Sequence, residues 1–138
     1  MTPKEECEAL MNELMPIGIN FIKKKGEFYP YCAVMNLDST INLVGFYDGD
    51  DYPDSKEVME NLKETCSEFA LEKKIKASGI AWNTSVASED GSETDAILIS
   101  LEHIDGYSVK IGLPYMKGIF KRVKLGNIFA LEGDKDIF

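Results

Sequence analysis

The sequence predicts a single α+β domain in which one antiparallel sheet is covered by helices, and three observations point to this fold class. Two segments carry apolar residues at helical spacing, and five carry the patterns of strands. These segments follow one another in the order α-β-β-α-β-β-β, with short turns that favour antiparallel pairing. Because two amphipathic helices need an apolar surface to cover, we expect about five strands with both helices packed on one face.

Size and composition agree with one globular unit. The 138 residues have the common length of a single domain, and 44% apolar with 28% charged residues is a globular composition. No apolar run approaches the roughly 20 residues of a membrane helix, and the polar start, residues 1–6, does not resemble a signal peptide. We therefore expect one domain over residues 1–138, located in the cytoplasm.

The first helix has signals at both ends. Thr2-Pro3-Lys4-Glu5 is a capping box with proline at the first helical position, and Gly26 is a suitable stop after three lysines. Pro16 lies inside the pattern and is expected to kink the helix or split it in two. The apolar stripe of this helix is formed by Cys7, Leu10, Met11, Leu14, Ile17, Phe21 and Ile22.

A β-hairpin and a second helix follow. Residues 31–35 and 41–47 have strand composition, with turn residues between them. The second helix is expected to begin at Asp54 and to end near Lys73-Lys74. Its apolar stripe is formed by Val58, Leu62, Cys66, Phe69 and Ala70.

The second half of the chain is predicted to be rich in strands. Residues 75–86, 96–103 and 107–113 alternate in the manner of half-buried strands, separated by Asp90-Gly91 and Asp105-Gly106 turns. Pro114 is expected to end the last strand. The tail beyond it is less regular, but its apolar residues predict that it docks onto the domain.

The net charge restricts the partners. Against 15 Lys and Arg stand 24 Asp and Glu, which gives −9 at neutral pH, and Arg122 is the single arginine. Phosphate backbones and anionic membranes repel such a surface, so we expect neither nucleic acid nor membrane as a partner. A basic protein would be attracted, although many proteins are acidic for solubility.

Two loops concentrate the acidic residues. The carboxylates of the first loop are Asp48, Asp50, Asp51 and Asp54, and those of the second are Glu89, Asp90 and Glu93. The first loop lacks the spacing of an EF-hand, so no metal site is expected there. A solvated acidic turn with a helix cap and a contact patch for a basic partner both account for these residues.

The cysteines and the single histidine form no recognised motif. Cys7, Cys32 and Cys66 lack CxxC spacing, and Cys7 and Cys66 are expected to be buried free thiols. A thiol enzyme would pair Cys32 with His103, but no glycine elbow or oxyanion signature accompanies them. Glycine-rich phosphate loops and hydrolase motifs are also missing from the sequence, so we expect a non-enzymatic protein without a cofactor.

One short run in the tail is basic. Lys117, Lys121, Arg122 and Lys124 fall within eight residues, with uncharged residues between them. They could bind an anion, or they could pair with the acidic surface of the same molecule.

Several segments resemble an uncharacterised family of small bacterial proteins. Residues 26–31 read Gly-Glu-Phe-Tyr-Pro-Tyr, where the family has a Gly-Glu-Phe-Tyr-Pro-Phe-like segment before the first strand. The resemblance continues through Asp95-Ala96-Ile97, Leu101-Glu102-His103 and Leu113-Pro114-Tyr115. Its motifs look structural, and the aromatic run either seats the strand in the core or forms a recognition patch. Small acidic proteins of this kind are often similar to immunity proteins, which neutralise a toxin domain.

The sequence therefore predicts a non-catalytic binding protein, most concretely an immunity protein for a basic, nuclease-like toxin domain. The two acidic loops are the expected contact region. The alternative is a dimeric adaptor, because the element order also resembles that of roadblock and profilin-like domains. A thiol-based enzyme is the third possibility.

Overall fold

The computed structural model describes residues 1–44, 54–87, 90–119 and 122–138 and confirms the α+β class. Within these residues two helices and seven strands follow in this order: α1 (Pro3–Lys25), β1 (Tyr31–Asn36), β2 (Ile41–Val44), α2 (Ser55–Leu71), β3 (Ile75–Ala87), β4 (Glu93–His103), β5 (Ser108–Lys117), β6 (Val123–Leu125) and β7 (Phe129–Glu132). The sheet order is β2-β1-β3-β4-β5-β6, every pairing is antiparallel, and β7 also pairs with β5. The tail thus supplies two strands more than the expected five.

The two helices lie on opposite faces of the sheet, so the expectation of one shared face is wrong. Tyr31, Ala33 and Met35 of β1 belong to the apolar cluster under α1. Cys32 and Val34 alternate with them and belong to the cluster under α2. The physical reason is visible in the strand itself, because an uninterrupted apolar run has two faces to bury and needs a cover on each.

The predicted ends of α1 are confirmed, but Pro16 does not split it. Thr2 and Glu5 form the reciprocal capping box, and Gly26 ends the helix at φ +79°. Pro16 and Asn12 are both exposed, so the Asn12 carbonyl left without an amide donor faces water. The helix therefore continues through the proline.

The packing of α1 on the sheet is close at Gly79 of β3. A Cβ atom at this position would lie 2.6 Å from Leu14 Cδ1 and 3.1 Å from Leu101 Cδ2. The glycine thus lets Leu10 and Leu14, both fully buried, reach the backbone of the sheet. Nearby, the Tyr31 hydroxyl donates to the Leu14 carbonyl oxygen at 2.6 Å, which fixes α1 along β1.

The tail docks on the α2 side, as expected from its apolar residues. The buried carboxylate of Glu102 accepts hydrogen bonds from the backbone N–H groups of Asp136 and Ile137, at 3.0 and 3.1 Å. Ile137 is 7% exposed and joins the cluster that contains Leu62 and Cys66 of α2. The tail therefore completes the cover of this face.

The tail is held to the body by its acidic residues, whereas the sequence suggested that its basic run would pair with the acidic surface. Its acidic residues pair with the body, through Lys63–Asp136 at 3.1 Å and Lys110–Asp134 at 3.0 Å. Of the basic run, Lys117 donates to the carbonyl oxygen of Gly26 at the end of α1. Arg122 and Lys124 are exposed and make no ion pair with another described residue, and Lys121 lies outside the described ranges.

Strand β5 runs through Pro114 to Lys117, whereas the sequence suggested an end at the proline. The carbonyl oxygen of Pro114 accepts from the N–H of Gly126, so its nitrogen faces the same edge of the strand. That edge pairs with β7 up to Gly112 and with β6 from Tyr115 onward. The missing N–H of the proline falls in the gap between these partners, where no ladder bond is lost.

Candidate functional site

The acidic residues predicted to contact a partner are partly placed by the structure. Asp48, Asp50, Asp51 and Glu89 lie outside the described residues. The other three are Asp54, Asp90 and Glu93, and all are exposed.

Two of these carboxylates also stabilise local backbone. Asp54 caps α2 by accepting from the N–H of Lys56 at 3.1 Å. Asp90 accepts from the N–H and the hydroxyl of Ser92, at 3.0 and 2.6 Å, in the turn between β3 and β4. Both carboxylates therefore have a local structural role as backbone caps, in addition to any contact with a partner.

A small cleft lies beside the first turn of α2. Strand β1 begins with Tyr31 opposite Ala81, so β3 continues beyond this point without β1 as a neighbour. The cleft in this position has a volume of about 150 Å³. Its lining residues are Phe28, Pro30, Ser55, Lys56, Met59, Trp82 and Asn83. Since small-molecule sites typically measure about 300–1,000 Å³, this cleft suits a single inserted side chain.

The aromatic run before β1 is seated in the core and borders this cleft. Tyr31 is 1% exposed, and its ring centroid lies 5.4 Å from that of Phe28. Phe28 in turn stacks on Phe21 of α1 at 6.0 Å. The core interpretation of the run therefore holds for Tyr31, while Phe28 and Pro30 present an apolar wall to the cleft.

A row of glutamates on the outer face of α2 is the feature that sequence reasoning missed. Glu57, Glu60, Glu64 and Glu68, here named the acidic row, are all exposed. At 3.6 residues per turn they fall within roughly 80° of the helix circumference, opposite the buried Cys66. The row begins one turn after Asp54 and next to the cleft.

The acidic row is not neutralised within the described part of the chain. Lys56 and Lys63 are the lysines closest in sequence to Glu60 and Glu64, and Lys63 pairs with Asp136 of the tail instead. No ion pair joins a member of the row to another described residue. The local signal for the row is its i, i+4 spacing, but the sequence also places Lys56 and Lys63 within four residues of Glu60, so the spacing alone does not indicate unpaired charges.

Three of these charges oppose the stability of the helix that carries them. Glu60–Glu64 and Glu64–Glu68 are like-charge pairs at i, i+4, each unfavourable by about 0.2–0.5 kcal/mol. Glu68 also lies near the negative end of the helix dipole, and the last turn of α2 holds no basic residue. Glu57 lies in the first turn and suits the positive end of the dipole, so folding of α2 accounts for Glu57 but not for the other three members of the row.

The catalytic pair considered for a thiol enzyme is not assembled. Cys32 lies in the cluster under α2, whereas His103 pairs across strands with Ala77, which lies in the cluster under α1. The two side chains are thus on opposite faces of the sheet. Among the described residues, no three His, Cys, Asp or Glu side chains group as a metal site would need.

His103 instead belongs to a buried polar cluster at the start of α1. Its Nε2 lies 3.1 Å from Glu6 Oε1, and its Nδ1 accepts from the N–H of Asp105 at 3.1 Å. Lys76 Nζ pairs with Glu6 Oε2 at 2.5 Å and donates to Ser39 Oγ at 2.6 Å. The bond to Lys76, aided by His103, holds the pKa of Glu6 below its usual value in spite of burial. The cluster ties α1 to the sheet.

Comparisons with known proteins add no functional assignment to this geometry. The described part of the chain contains no helix long and apolar enough to cross a membrane. No protein-family model, curated protein or solved structure matches this chain.

Proposed function

We propose that this protein is a non-catalytic binding protein that recognises a basic protein partner through the outer face of α2. The observation that carries the proposal is the acidic row, whose four exposed carboxylates find no cation among the described residues. A basic partner would relieve the repulsion between the glutamates of the row, which is present in the unbound protein. This makes the row a better contact candidate than carboxylates that already cap a turn.

More specifically, we propose an immunity protein that neutralises a basic toxin domain, as the family resemblance suggested. The acidic row would attract the partner and cover its cationic surface, and the neighbouring cleft would take one of its side chains. The size of the cleft supports this use, because it matches a side chain and not a metabolite. Inhibition would be steric and electrostatic, without any chemical step.

The acidic loops remain part of this proposal. Asp54 caps α2 one turn before the row, and Asp90 with Glu93 lies at the end of the β3–β4 hairpin that extends from Trp82. Asp48, Asp50, Asp51 and Glu89 are proposed contacts on the same grounds of charge. Changing Asp48, Asp50 and Asp51 together to Asn is expected to slow association more than it speeds dissociation.

The test compares two double variants with the same net charge. A partner is captured from the source cell, purified, and titrated against the wild-type protein at several salt concentrations. Changing Glu64 and Glu68 to Gln is expected to weaken binding about tenfold, chiefly through slower association at low salt. The matched control changes Glu8 and Glu13 of α1, which are also exposed, to Gln and is expected to leave affinity within about twofold. Equal effects of both variants, or binding without salt dependence, would remove the acidic row from the interface.

A dimeric adaptor is the alternative that one observation favours. Strand β2 is an edge of the sheet, and its Leu43 is 54% exposed. Such an edge can pair with a second copy of the chain. Sedimentation equilibrium distinguishes the two proposals: a dimer that dissociates when Leu43 is changed to Lys supports the adaptor, and a monomer supports the immunity protein.

A further inference from the structure

Two of the three thiols meet beneath α2. Cys32 of β1 and Cys66 of α2 are 1% and 0% exposed, and their sulfur atoms lie 3.8 Å apart. Cys66 donates to Cys32, and Cys32 donates to the carbonyl oxygen of Val44 at 2.8 Å. Cys7 is equally buried but lies in the cluster on the opposite face of the sheet.

The distance between these sulfurs is short enough to be closed by a small shift. A disulfide bond measures about 2.05 Å, so the atoms must approach by roughly 1.8 Å. Strand β1 is bonded to β2 on one edge and to β3 on the other, and this holds Cys32 in place. Helix α2 buries Leu62 and Cys66, whereas α1 buries residues along its whole length, so α2 is the element that can move.

We propose that Cys32 and Cys66 form a reversible dithiol–disulfide site that is oxidised by hydroperoxides. The Cys66 thiolate attacks one peroxide oxygen, the O–O bond breaks, and the released hydroxide takes up the proton that Cys66 gave up. The Cys32 sulfur then attacks the sulfenic sulfur of Cys66, and the hydroxyl group leaves with the Cys32 proton as water. Two thiols and one hydrogen peroxide thus give one disulfide and two waters.

The environment of the pair assigns these roles and selects the oxidant. Cys32 donates its proton to the Val44 carbonyl oxygen, and the contact with Cys66 together with burial raises its pKa, so Cys32 is held as the thiol. The proton of Cys66 meets only a sulfur atom, which is a weak acceptor, so we assign the first attack to Cys66 and the resolving step to Cys32. Because both sulfurs are buried, a molecule of the size of water reaches them more readily than a bulky disulfide reagent.

Oxidation would act on the surface that carries the acidic row. The row lies on the side of α2 opposite Cys66, so a shift of the helix toward the sheet displaces all four glutamates together. This consequence rests on the proposed binding function, whereas the disulfide itself does not. The expected effect is a change of several-fold in partner affinity between the reduced and oxidised forms.

The chemistry is tested on the native chain without any partner. The protein is exposed to hydrogen peroxide, free thiols are blocked with iodoacetamide in denaturant, and the digest is mapped by mass spectrometry. We expect one cross-linked peptide pair containing Cys32 and Cys66, a blocked Cys7, and full reversal by dithiothreitol. The Cys7→Ala variant should give the same product, and the Cys66→Ala variant should give none.

Two results would overturn the proposal. One is that all three cysteines carry the iodoacetamide group after a peroxide treatment of the native chain, although the same treatment oxidises the chain unfolded in urea. The other is a cross-link that involves Cys7. Partner binding is then measured with both forms. Equal affinities of the reduced and oxidised forms would remove the regulatory consequence while leaving the mapped disulfide, and the absence of any partner would count against the proposed function alone.

Discussion

The two faces of the sheet are covered in different ways, and the difference separates folding from function. Helix α1 buries side chains over its whole length, reaches the backbone at Gly79 and is tied to the sheet by a buried ion pair. Helix α2 buries Leu62 and Cys66, needs the tail to complete its core, and turns outward carboxylates that form no ion pair with the described part of the chain. The α1 face is therefore optimised for stability, and the α2 face retains features that stability does not explain.

The largest expected effect comes from truncating the core on each face. Leu14→Ala should reduce the free energy of unfolding by about 4 kcal/mol, because Leu14 is fully buried against Gly79 and the sheet cannot close the cavity. Leu62→Ala should cost about 2 kcal/mol, since Leu62 is 6% exposed and the tail can relax toward it. Urea denaturation measures both values. Equal losses would show that the two faces contribute alike.

A smaller loss of folding stability is expected when the buried ion pair of the α1 face is broken. Glu6→Gln removes the partner of Lys76 and should lower the free energy of unfolding by about 2–3 kcal/mol at neutral pH. The exposed Glu8→Gln is the control and should change it by less than about 0.5 kcal/mol. A neutral result for Glu6→Gln would mean that the pair is satisfied equally well by water.

The ion pair of Glu6 and Lys76 also makes the stability difference between the wild type and Glu6→Gln depend on pH. The pKa of Glu6 is lowered in the folded protein, chiefly by Lys76, so its carboxylate stabilises the fold above the ordinary value of 4.5. This contribution is lost as the pH falls through the lowered pKa. Urea denaturation between pH 7 and pH 3 should therefore show the gap between wild type and Glu6→Gln narrowing in acid. A gap that stays constant would contradict the assignment.

The smallest effect has the opposite sign and concerns the α2 face. Glu64→Lys replaces two like-charge contacts, to Glu60 and Glu68, by opposite-charge pairs at i, i+4, and should stabilise the protein by about 0.5–1 kcal/mol. The same change should weaken binding of a basic partner. Glu13→Lys on α1, which has no acidic residue at i±3 or i±4, is the control and should leave stability unchanged. A destabilised Glu64→Lys variant would indicate a structural role for the row.

The parts of the fold that could be predicted depend on local signals. The capping box at Thr2, the left-handed Gly26 and the Asp105-Gly106 turn each act within a few residues, and the structure has all three. The alternation along β3, β4 and β5 likewise identified which side chains share a face. Such features are encoded by neighbouring residues and can be read without knowing the rest of the chain.

What could not be predicted depends on contacts between distant segments. The side on which α2 packs follows from its contacts with β1 and the tail, and β6 and β7 are strands because β5 pairs with them. The acidic row was missed for the same reason, since Lys63 is close in sequence to Glu60 and Glu64 but pairs with Asp136 of the distant tail. The acidic loops were identifiable by composition, but composition does not show that Asp54 and Asp90 also cap local backbone.

The position of Trp82 makes the α2 face optically distinct. It is the single tryptophan of the chain, it is half-buried, and it lines the cleft with Met59. Tyr31 and Tyr115 are buried on the α1 side of the sheet, so these two tyrosines and the indole lie on different faces. Excitation of the indole therefore gives an emission signal from the cleft in the unlabelled protein, and its wavelength and quenching by iodide follow solvent access at that one position.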